Sequence, residues 1–374
     1  MGVGEEFDDL VPVSVQRGLP ENAPAWAEGL NFRLPRTVLR RLQARAPLEG
    51  EKDVEALRMR CAYTKHRPIS SRLPVTYQVI PSRLRSLLAS AFGRWKRRSV
   101  ERWARFPGWP LDLSADVLAD LAGCPPSPFS RGPTPVLLTH DLDSHEGLVN
   151  LVRIFLKEEE VVGARSTSYV VPCAWPLDHA LLEETVNRGH ELGIHGYDHS
   201  NLTPYLSSPE RQQRVTAALP LVERYRMIGY RAPSLVRTPE LLRDLAPHYR
   251  YDSSIPTSGG LFPVPNNGCA SARPFRTEGI LEIPVTMPRD GSLRFLGLSS
   301  DEIFSTWVDC ADKIARSGGV VVLLTHCEER FSGNQAMLDV YRRFLRYVAE
   351  GDRFSWSTPA GIVGTYQRHE AERQ

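Results

Sequence analysis

The stretch from Val136 to Gly147 reads V-L-L-T-H-D-L-D-S-H-E-G and decides the fold of this chain. Its apolar run is typical of a buried strand, which delivers the polar side chains that follow it to the edge of a sheet or barrel. Asp141 and Asp143 are two residues apart, so both point the same way if the strand continues. Two like charges on one face are tolerated beside a cation, or when one carries a proton, which indicates a metal-assisted hydrolytic site. The plainer alternative is a solvated strand end with a helix cap at Ser144.

Length, charge and cysteine content set the broad class of the protein. The 374 residues carry a formal net charge of +2, which does not favour nucleic acid as a partner. The six cysteines are scattered without a C-x-x-C pair, which is typical of free thiols in a reducing compartment. The acidic amino terminus lacks the apolar segment of a secretory signal, and no apolar run reaches the roughly 20 residues of a bilayer span. We therefore expect a cytoplasmic protein without a transmembrane segment.

The chain divides into two parts by composition. Five prolines between Cys124 and Pro135 are typical of a linker, so we place a domain boundary near Arg131. Residues 1–130 are predicted to be an N-terminal extension of mostly helical or irregular structure. In residues 131–374, strand and helix patterns alternate, as in parallel βα units. About seven such units, with polar clusters at the carboxyl ends of the strands, predict an α/β fold in the form of a distorted (β/α) barrel.

Hydrophobic periodicity locates the individual elements. The strands are predicted at residues 136–139, 166–171, 192–194, 228–232, 281–285, 320–325 and 354–357. The helices of the barrel are predicted at residues 148–157, 178–189, 209–225, 239–246 and 337–348. Before the barrel, short helices are expected at residues 37–45 and 114–122.

A basic segment precedes the barrel. Apolar residues recur at helical spacing from about Ser82 onward, which predicts an amphipathic helix whose apolar face packs on the barrel: Leu84, Leu87, Leu88, Ala91, Phe92 and Trp95. Between Arg83 and Arg105 there are eight Arg or Lys residues against one acid, Glu101. Such a charge run is usually a solvated helix face, and the alternative is a docking site for an anionic partner.

A pair of histidines extends the first cluster. His195 and His199 are four residues apart, the spacing at which two imidazoles share one helical turn and can bind one metal. Alone, the pair is also compatible with two ordinary surface histidines. Together with the two aspartates it predicts a site for one divalent metal with an open coordination position, zinc first, although iron, cobalt or nickel accepts similar ligands.

Four polar motifs follow the strand candidates in order. They are Thr139-His140-Asp141-Leu142-Asp143, His195-Gly196-Tyr197-Asp198-His199, Gly229-Tyr230-Arg231-Ala232-Pro233-Ser234 and Leu323-Leu324-Thr325-His326. The set resembles the T-F-D-D-G, H-S/T-x-x-H, arginine and final histidine motifs of the polysaccharide deacetylases, the NodB-homology group or carbohydrate esterase family 4. The resemblance covers about residues 135–367.

The resemblance implies a distorted (β/α) barrel with one divalent metal that hydrolyses the N-acetyl group of a sugar. Carried over by position, Asp143, His195 and His199 hold the metal, and water activated there attacks the amide. Asp141 is the general base and His326 the general acid. The resemblance also implies that Arg231 orients the base and that Ser234 supplies a backbone donor to the oxyanion.

The residue chemistry is compatible with these roles. Amide hydrolysis needs a Lewis acid, a deprotonated water and a proton for the departing amine. Arg231 precedes Ala232-Pro233 and can pair with a carboxylate at a strand end, and His326 has the pKa range of a general acid. The plainer alternatives are an exposed arginine and a buried structural histidine.

The chain departs from the family pattern at several positions. Asp-Leu-Asp replaces the adjacent Asp-Asp, as in variants that include cyclic-amide and allantoinase-like hydrolases. Ser234 stands where many members have Tyr, and Gly196 where Ser or Thr usually braces the metal loop. The fourth motif is not recognisable, which leaves Glu282 as a weak candidate partner for His326. His140, His145 and Glu146 are further polar neighbours of the first cluster, and Glu146 is expected at a helix start or as an outer partner of a ligand.

Three functions remain open at this point. The first is N-deacetylation of an acetamido sugar in a glycoconjugate or a smaller precursor. If that sugar is linked to an anionic carrier, such as a nucleotide or lipid diphosphate, the basic segment is expected to bind the carrier. The second is hydrolysis of a C–N bond in a substrate that is not a sugar. The third is a barrel that binds glycans without catalysis, which the intact acid and histidine set speaks against.

Overall fold

The computed structural model describes residues 10–13, 23–30, 32–68, 71, 82–100, 111–259 and 267–373. Most of the predicted basic segment falls within these ranges. Its last two cations, Arg102 and Arg105, lie outside the described residues, as does most of the Pro- and Gly-rich stretch at residues 1–22.

The N-terminal part of the chain combines a small antiparallel strand pair with helices. The elements are β1 (Leu10–Val13), β2 (Phe32–Pro35), α1 (Arg36–Gln43), α2 (Glu51–Ala62), α3 (Ser82–Val100) and α4 (Ser114–Leu121). The helices predicted near residue 37, from Ser82 and from Ser114 are therefore confirmed. Helix α2 was not predicted.

Parallel strands alternate with helices in the rest of the chain. The strands are β3 (Thr134–Leu142), β4 (Ser166–Val170), β5 (Glu191–Ile194), β6 (Gly229–Tyr230), β7 (Tyr251–Asp252), β8 (Phe275–Thr277), β9 (Ile280–Glu282), β10 (Val321–His326) and β11 (Phe354–Trp356). The helices are α5 (His145–Asn150), α6 (Leu156–Val161), α7 (His179–Asn187), α8 (Ser208–Thr216), α9 (Leu219–Tyr225), α10 (Pro239–Leu245), α11 (Asp290–Phe295), α12 (Ser300–Arg316), α13 (Gln335–Ala349) and α14 (Pro359–Glu372).

The strands form one curled sheet in the order β10-β3-β4-β5-β6-β7-β9-β8, with β11 beside the start of β3. All neighbours are parallel except β8 and β9. The two ends of this sheet meet at a seam between β10 and the segment after β9. There the Thr286 hydroxyl donates to Val320 O (2.9 Å) and accepts from Val322 N (2.7 Å). Met287 N donates to Val322 O at 3.1 Å. The predicted distorted (β/α) barrel is confirmed.

Burial explains why β3 lies inside the sheet, between β10 and β4. Its residues from Val136 to Leu142 are buried on both faces, as expected for a strand covered by helices on one side and filled by side chains on the other. The helices around it begin at polar caps. Asp178 Oδ1 accepts from Ala180 N at 3.0 Å, which starts α7 as predicted, and the left-handed Gly189 follows its end.

Other boundaries differ from the predictions. The stretch from residue 148 to 157 contains a π-helical turn at Leu151–Phe155 between α5 and α6, and the predicted helix at 209–225 is divided into α8 and α9. Strands β7 and β8 and helices α12 and α14 were not predicted. Ser299 and Glu302 form a capping box at the start of α12, so a local signal for that helix was present in the sequence.

The apolar face of α3 is not where the sequence analysis placed it. Helix α3 packs against α11, and the less exposed of its described residues include small ones: Gly93 is buried, and Ala89 and Ser90 are half-buried. Leu87 and Trp95 are instead 67% and 69% exposed. The expectation that the apolar face packs on the barrel was wrong, because small side chains allow the closer approach of two helices and occupy the contact.

The N-terminal elements share a hydrophobic core with the barrel. Leu34 and Leu113 belong to the same buried cluster as Val136 and Leu138 of β3. Asp116 of α4 accepts a hydrogen bond from Ala272 N at 2.7 Å, which attaches α4 to the barrel. The division of the chain at residue 131 stays a prediction. None of the described helices combines the length and apolarity needed to cross a bilayer.

Candidate metal centre and catalytic residues

Strand register brings the predicted motifs together at one end of the barrel. In the β10–β3 pair, His326 lies beside Asp141. Strand β5 ends just before His195 and β6 just before Arg231, and Ile194 pairs with Tyr230. The carboxyl ends of parallel strands meet at one edge, which is why residues far apart in sequence form one site.

Asp141 is held by a buried arginine. Arg231 Nη1 donates to Asp141 Oδ1 and to Thr139 Oγ1, both at 3.0 Å, while its Nε donates to Ser253 O at 3.0 Å. The guanidinium is fully buried and lies 4.1 Å over the Tyr169 ring. Burial alone would raise the pKa of Asp141, but the interaction with His195 and the charge of Arg231 outweigh it and lower that pKa. Asp141 is therefore ionised at neutral pH.

Asp143, His195 and His199 form a compact group. Asp143 Oδ1 lies 2.9 Å from His199 Nε2 and 3.7 Å from His195 Nε2. One ligand atom from each of the three residues lies within 4.8 Å of the others. His195 Nδ1 lies 3.0 Å from Arg231 O, so the carbonyl fixes the proton on Nδ1 and leaves the Nε2 lone pair facing the carboxylates. Two imidazole nitrogens and one carboxylate oxygen fit a divalent cation.

The protonation states of this group also suit a cation. Burial lowers the pKa of His195 more than the nearby aspartates raise it, which keeps the ring neutral. For Asp143, burial works in the opposite direction, but His199 and the other histidines outweigh it and hold the pKa well below its usual range. Neutral imidazole and ionised carboxylate are the forms that bind metals.

His326 is paired with an aspartate that the sequence analysis missed. Its Nδ1 lies 2.9 Å from Asp290 Oδ1, and its backbone N donates to Asp290 Oδ2 at 2.8 Å. Burial favours the neutral ring, but the charges of Asp290, Asp143 and Asp141 outweigh it and raise the pKa of His326 to about 9. The Phe331 ring covers the imidazole, with centroids 4.5 Å apart.

The prediction of Glu282 as the partner of His326 was wrong. Glu282 is fully buried beside Asp252 and accepts from Ile255 N at 2.9 Å. Burial and the charge of Asp252 raise its pKa well above the usual range. Glu282 thus supports the sheet, and Asp290 takes its place because the chain leaves β9, runs along the seam and returns to the site at the start of α11.

Two further residues after β10 line the site. Glu328 is buried and accepts from Ser144 Oγ at 2.8 Å, and burial together with Asp143 raises its pKa to about 7. Arg330 Nη2 lies 3.4 Å from Asp143 Oδ2. The signal for both was their position in the polar run Glu328-Glu329-Arg330 directly after the His326 motif.

The polar neighbours in the first motif occupy different places. His140 is fully buried against Glu159 (2.8 Å) and Thr325 Oγ1 (2.9 Å) and is not part of the Asp143-His195-His199 group. Because adjacent strand residues point to opposite faces, His140 faces the surrounding helices while Asp141 faces the site, so placing His140 at the site was wrong. His145 is exposed and contacts the Trp175 ring. Glu146 lies in the first turn of α5, as the helix-start interpretation predicts.

The loops of the second and third motifs touch each other. Gly196 has a φ of +69°, and a Cβ there would lie 2.5 Å from Pro233 Cγ and Cδ. This close approach explains why Gly196 occupies the position at which the family that the sequence resembles has Ser or Thr. Ser234, the predicted oxyanion donor, is exposed in the same loop with a φ of 52° and ψ of 17°. Its contribution to the oxyanion stays a prediction.

The architecture is that of the polysaccharide deacetylase fold. No family model matches the sequence, and no curated protein matches it. Among solved structures, a Mycobacterium smegmatis protein assigned as a polysaccharide deacetylase superposes with a TM-score of 0.51 and 19% identity, over 64% of this chain and 92% of that chain. Puue allantoinase superposes with a TM-score of 0.53 and 15% identity, over 66% and 95%. The resemblance found in the sequence is therefore confirmed in the fold.

Proposed function

We propose that the protein is a metal-dependent amide hydrolase that removes the acetyl group from an acetamido sugar. The observation that carries this proposal is the meeting of three units at one barrel end: the Asp143-His195-His199 group, the Asp141–Arg231 pair and the Asp290–His326 pair. They provide a cation site, a base and an acid, which is what hydrolysis of an unactivated amide requires.

The donor set suits zinc, and iron, cobalt or nickel fits a similar set. A divalent cation bound by Asp143, His195 and His199 supplies Lewis-acid chemistry at the amide carbonyl and lowers the pKa of water. His195 enters this role with its proton fixed on Nδ1 by Arg231 O, so the same loop that orients the base also orients a ligand.

Asp141 acts as the general base. Arg231 occupies Asp141 Oδ1, and the second oxygen, Oδ2, lies 3.6 Å from His195 Nε2 on the side of the ligand group. The lowered pKa of Asp141 keeps it ionised and able to accept the proton of the attacking water. Arg231 positions the carboxylate without contacting the reacting atoms.

His326 acts as the general acid. With a pKa of about 9, the ring is protonated at neutral pH, and Asp290 at Nδ1 leaves Nε2 to face the substrate. In this role Nε2–H gives its proton to the nitrogen as the C–N bond breaks, which lets the amine leave as a neutral group.

The spacing of Asp141 and Asp143 favours a second candidate, hydrolysis of a cyclic amide. The Asp-Leu-Asp spacing is that of the allantoinase-like variants of the resembling family, and Ser234 lacks the aromatic ring of many sugar deacetylases. The two reactions use the same base and acid but differ in product, because a cyclic amide opens without releasing a fragment.

Product analysis of the zinc-loaded protein tests these functions. It is incubated with acetamido sugars, nucleotide-linked and lipid-diphosphate-linked acetamido sugars, and cyclic amides, and acetate and new amine are measured, with Asp141→Asn as the control. Acetate released together with a sugar amine supports deacetylation, and release from the nucleotide-linked or lipid-diphosphate-linked members in preference to the free sugars supports a glycoconjugate precursor as substrate. Ring opening without acetate supports the second candidate. A metal-loaded protein that converts no member of the panel contradicts both and favours glycan binding without catalysis.

A further inference from the structure

Helix α3 presents large apolar side chains to solvent. In the described part of the chain, seven large apolar residues are exposed, and five of them lie on this helix: Leu84 (48%), Leu87 (67%), Leu88 (59%), Phe92 (47%) and Trp95 (69%). Scattered exposed apolar residues are ordinary, whereas several on one element mark an interaction surface. We call these five residues the α3 stripe.

The α3 stripe lies on one side of the helix. With 3.6 residues per turn, its members fall within less than half of the helix circumference. The other side is attached to the protein, because Gly93 is buried and Arg97 Nη1 donates to Gly297 O at 3.2 Å. Arg97 also pairs with Glu302 of α12 at 3.4 Å. The helix is thus held by one side while the stripe faces outward.

The charge of α3 has a single sign. The helix contains six cations and neither Asp nor Glu: Arg83, Arg85, Arg94, Lys96, Arg97 and Arg98. A second copy laid along the stripe brings two such sets together without acids to neutralise them, so self-association through this face is disfavoured. A partner that complements both the apolar stripe and the positive charge of α3 has an apolar interior and negative charge at its surface.

We propose that α3 docks the protein on the surface of an anionic lipid bilayer, with the helix lying in the interfacial plane. Leu and Phe side chains insert below the headgroups, and Trp is favoured at that depth because its ring is apolar and carries an N–H. Long Arg and Lys side chains reach from the edge of an inserted helix to lipid phosphates. The α3 stripe runs from Leu84 to Trp95 and gives an apolar contact about 17 Å long.

Docking through the stripe leaves α3 between the bilayer and α11, an element of the site. Helix α3 packs on α11, and α11 begins with Asp290, the partner of His326. The proposal concerns binding alone, and it does not depend on which amide the protein hydrolyses. It rests on the exposed apolar side chains of α3, which the expectation of an anionic carrier does not use.

Vesicle sedimentation with the full-length protein tests the proposal. Wild-type protein should sediment with sucrose-loaded vesicles of phosphatidylcholine containing about 30 mol % phosphatidylglycerol, and only weakly with phosphatidylcholine alone. Raising the salt to about 0.5 M should weaken binding to the anionic vesicles, because surface charge is then screened within a few ångströms. The double variant Leu87→Glu/Trp95→Glu should bind these vesicles at least about 10-fold more weakly.

The matched control is Val161→Glu/Val186→Glu, which adds the same charge at the two exposed apolar residues outside α3 and should keep full binding. Circular dichroism and thermal unfolding verify that both variants stay folded. Wild-type protein that remains in the supernatant with anionic vesicles overturns the proposal, as does equal loss of binding in both double variants. If sedimentation velocity shows instead a dimer that Leu87→Glu/Trp95→Glu dissociates, the stripe binds a second copy and the lipid assignment is wrong.

Discussion

Asp290 contacts His326 through both the ring and the backbone, with Oδ1 2.9 Å from Nδ1 and Oδ2 2.8 Å from the amide nitrogen. The two residues are 36 positions apart in sequence and come from different elements, the start of α11 and the end of β10. The carboxylate therefore fixes the tautomer, the orientation and the charge of the proposed general acid at once.

Asp290→Asn is expected to move the alkaline limb of the pH–rate profile to lower pH. His326 must be protonated to act as an acid, so wild-type activity should fall as the pH rises through about 9. Removing the carboxylate takes away the largest charge that raises this pKa, and the limb should approach the ordinary histidine value near about 6.5. The measurement is kcat/KM against pH. If the alkaline limb of the profile does not move in Asp290→Asn, a group other than His326 determines its pKa.

Asp141→Asn should keep the bound metal and the fold but lower kcat by about 10² to 10⁴, the usual range for a positioned proton-transfer group. The amide still accepts a hydrogen bond from Arg231, so the site geometry is preserved. Activity and elemental analysis are measured on the same preparation. If the metal is lost together with the activity, Asp141 is a ligand and the roles of the two aspartates have been exchanged.

His195→Ala should remove most of the metal, because a single imidazole and one carboxylate hold a divalent cation poorly. The measurement is metal content after dialysis against a weak chelator. His140→Ala is a useful comparison, since this fully buried histidine faces Glu159 on the other side of the strand and its loss should lower the melting temperature but not the metal content. Full metal content in His195→Ala would rule out the assigned ligand group.

Gly196→Ala should destabilise the protein through a collision with Pro233. The new Cβ would lie 2.5 Å from two ring carbons, and the backbone φ of +69° is itself unfavourable for alanine. We expect a loss of about 2 to 4 kcal/mol in the free energy of unfolding, the sum of overpacking and backbone strain.

Gly163→Ala provides the control for the backbone contribution. Gly163 has a similar φ of +73°, and a Cβ there would meet nothing within 4 Å, so the loss should be only about 1 kcal/mol. Both values come from denaturant unfolding at equilibrium. Equal losses in the two variants would show that Pro233 moves aside and that backbone strain alone accounts for the effect.

Much of the site could be predicted because its residues follow apolar runs directly. Asp141 and His326 are register partners on neighbouring strands, so identifying both strand ends was enough to place them together. Asp290 could not be found in this way. It follows irregular chain after β9 and reaches His326 only through the closure of the barrel, which local periodicity does not describe.

The fold class was predictable for a similar reason, since β3 and β10 each contain a run of consecutive apolar residues. Strand β7 has only two residues, too short to show a period. For α3, the periodicity located the apolar side chains correctly, but it does not determine whether they are buried or exposed. The buried residue of α3 is Gly93, and glycine carries almost no hydrophobic signal.

The seam at Thr286 has a mechanical consequence for the barrel. The two ends of the sheet are joined here by the Thr286 hydroxyl bridge, the bond from Met287 N and a bond from Val320 N to Ala272 O. Because one of these connections passes through a side chain and no strand ladder continues across the seam, few hydrogen bonds must stretch when the barrel widens along this line. Asp290 lies four residues beyond Thr286, on the side of the line opposite β10 and His326. Strain that opens the seam is thereby transmitted to the hydrogen bond that orients the proton donor.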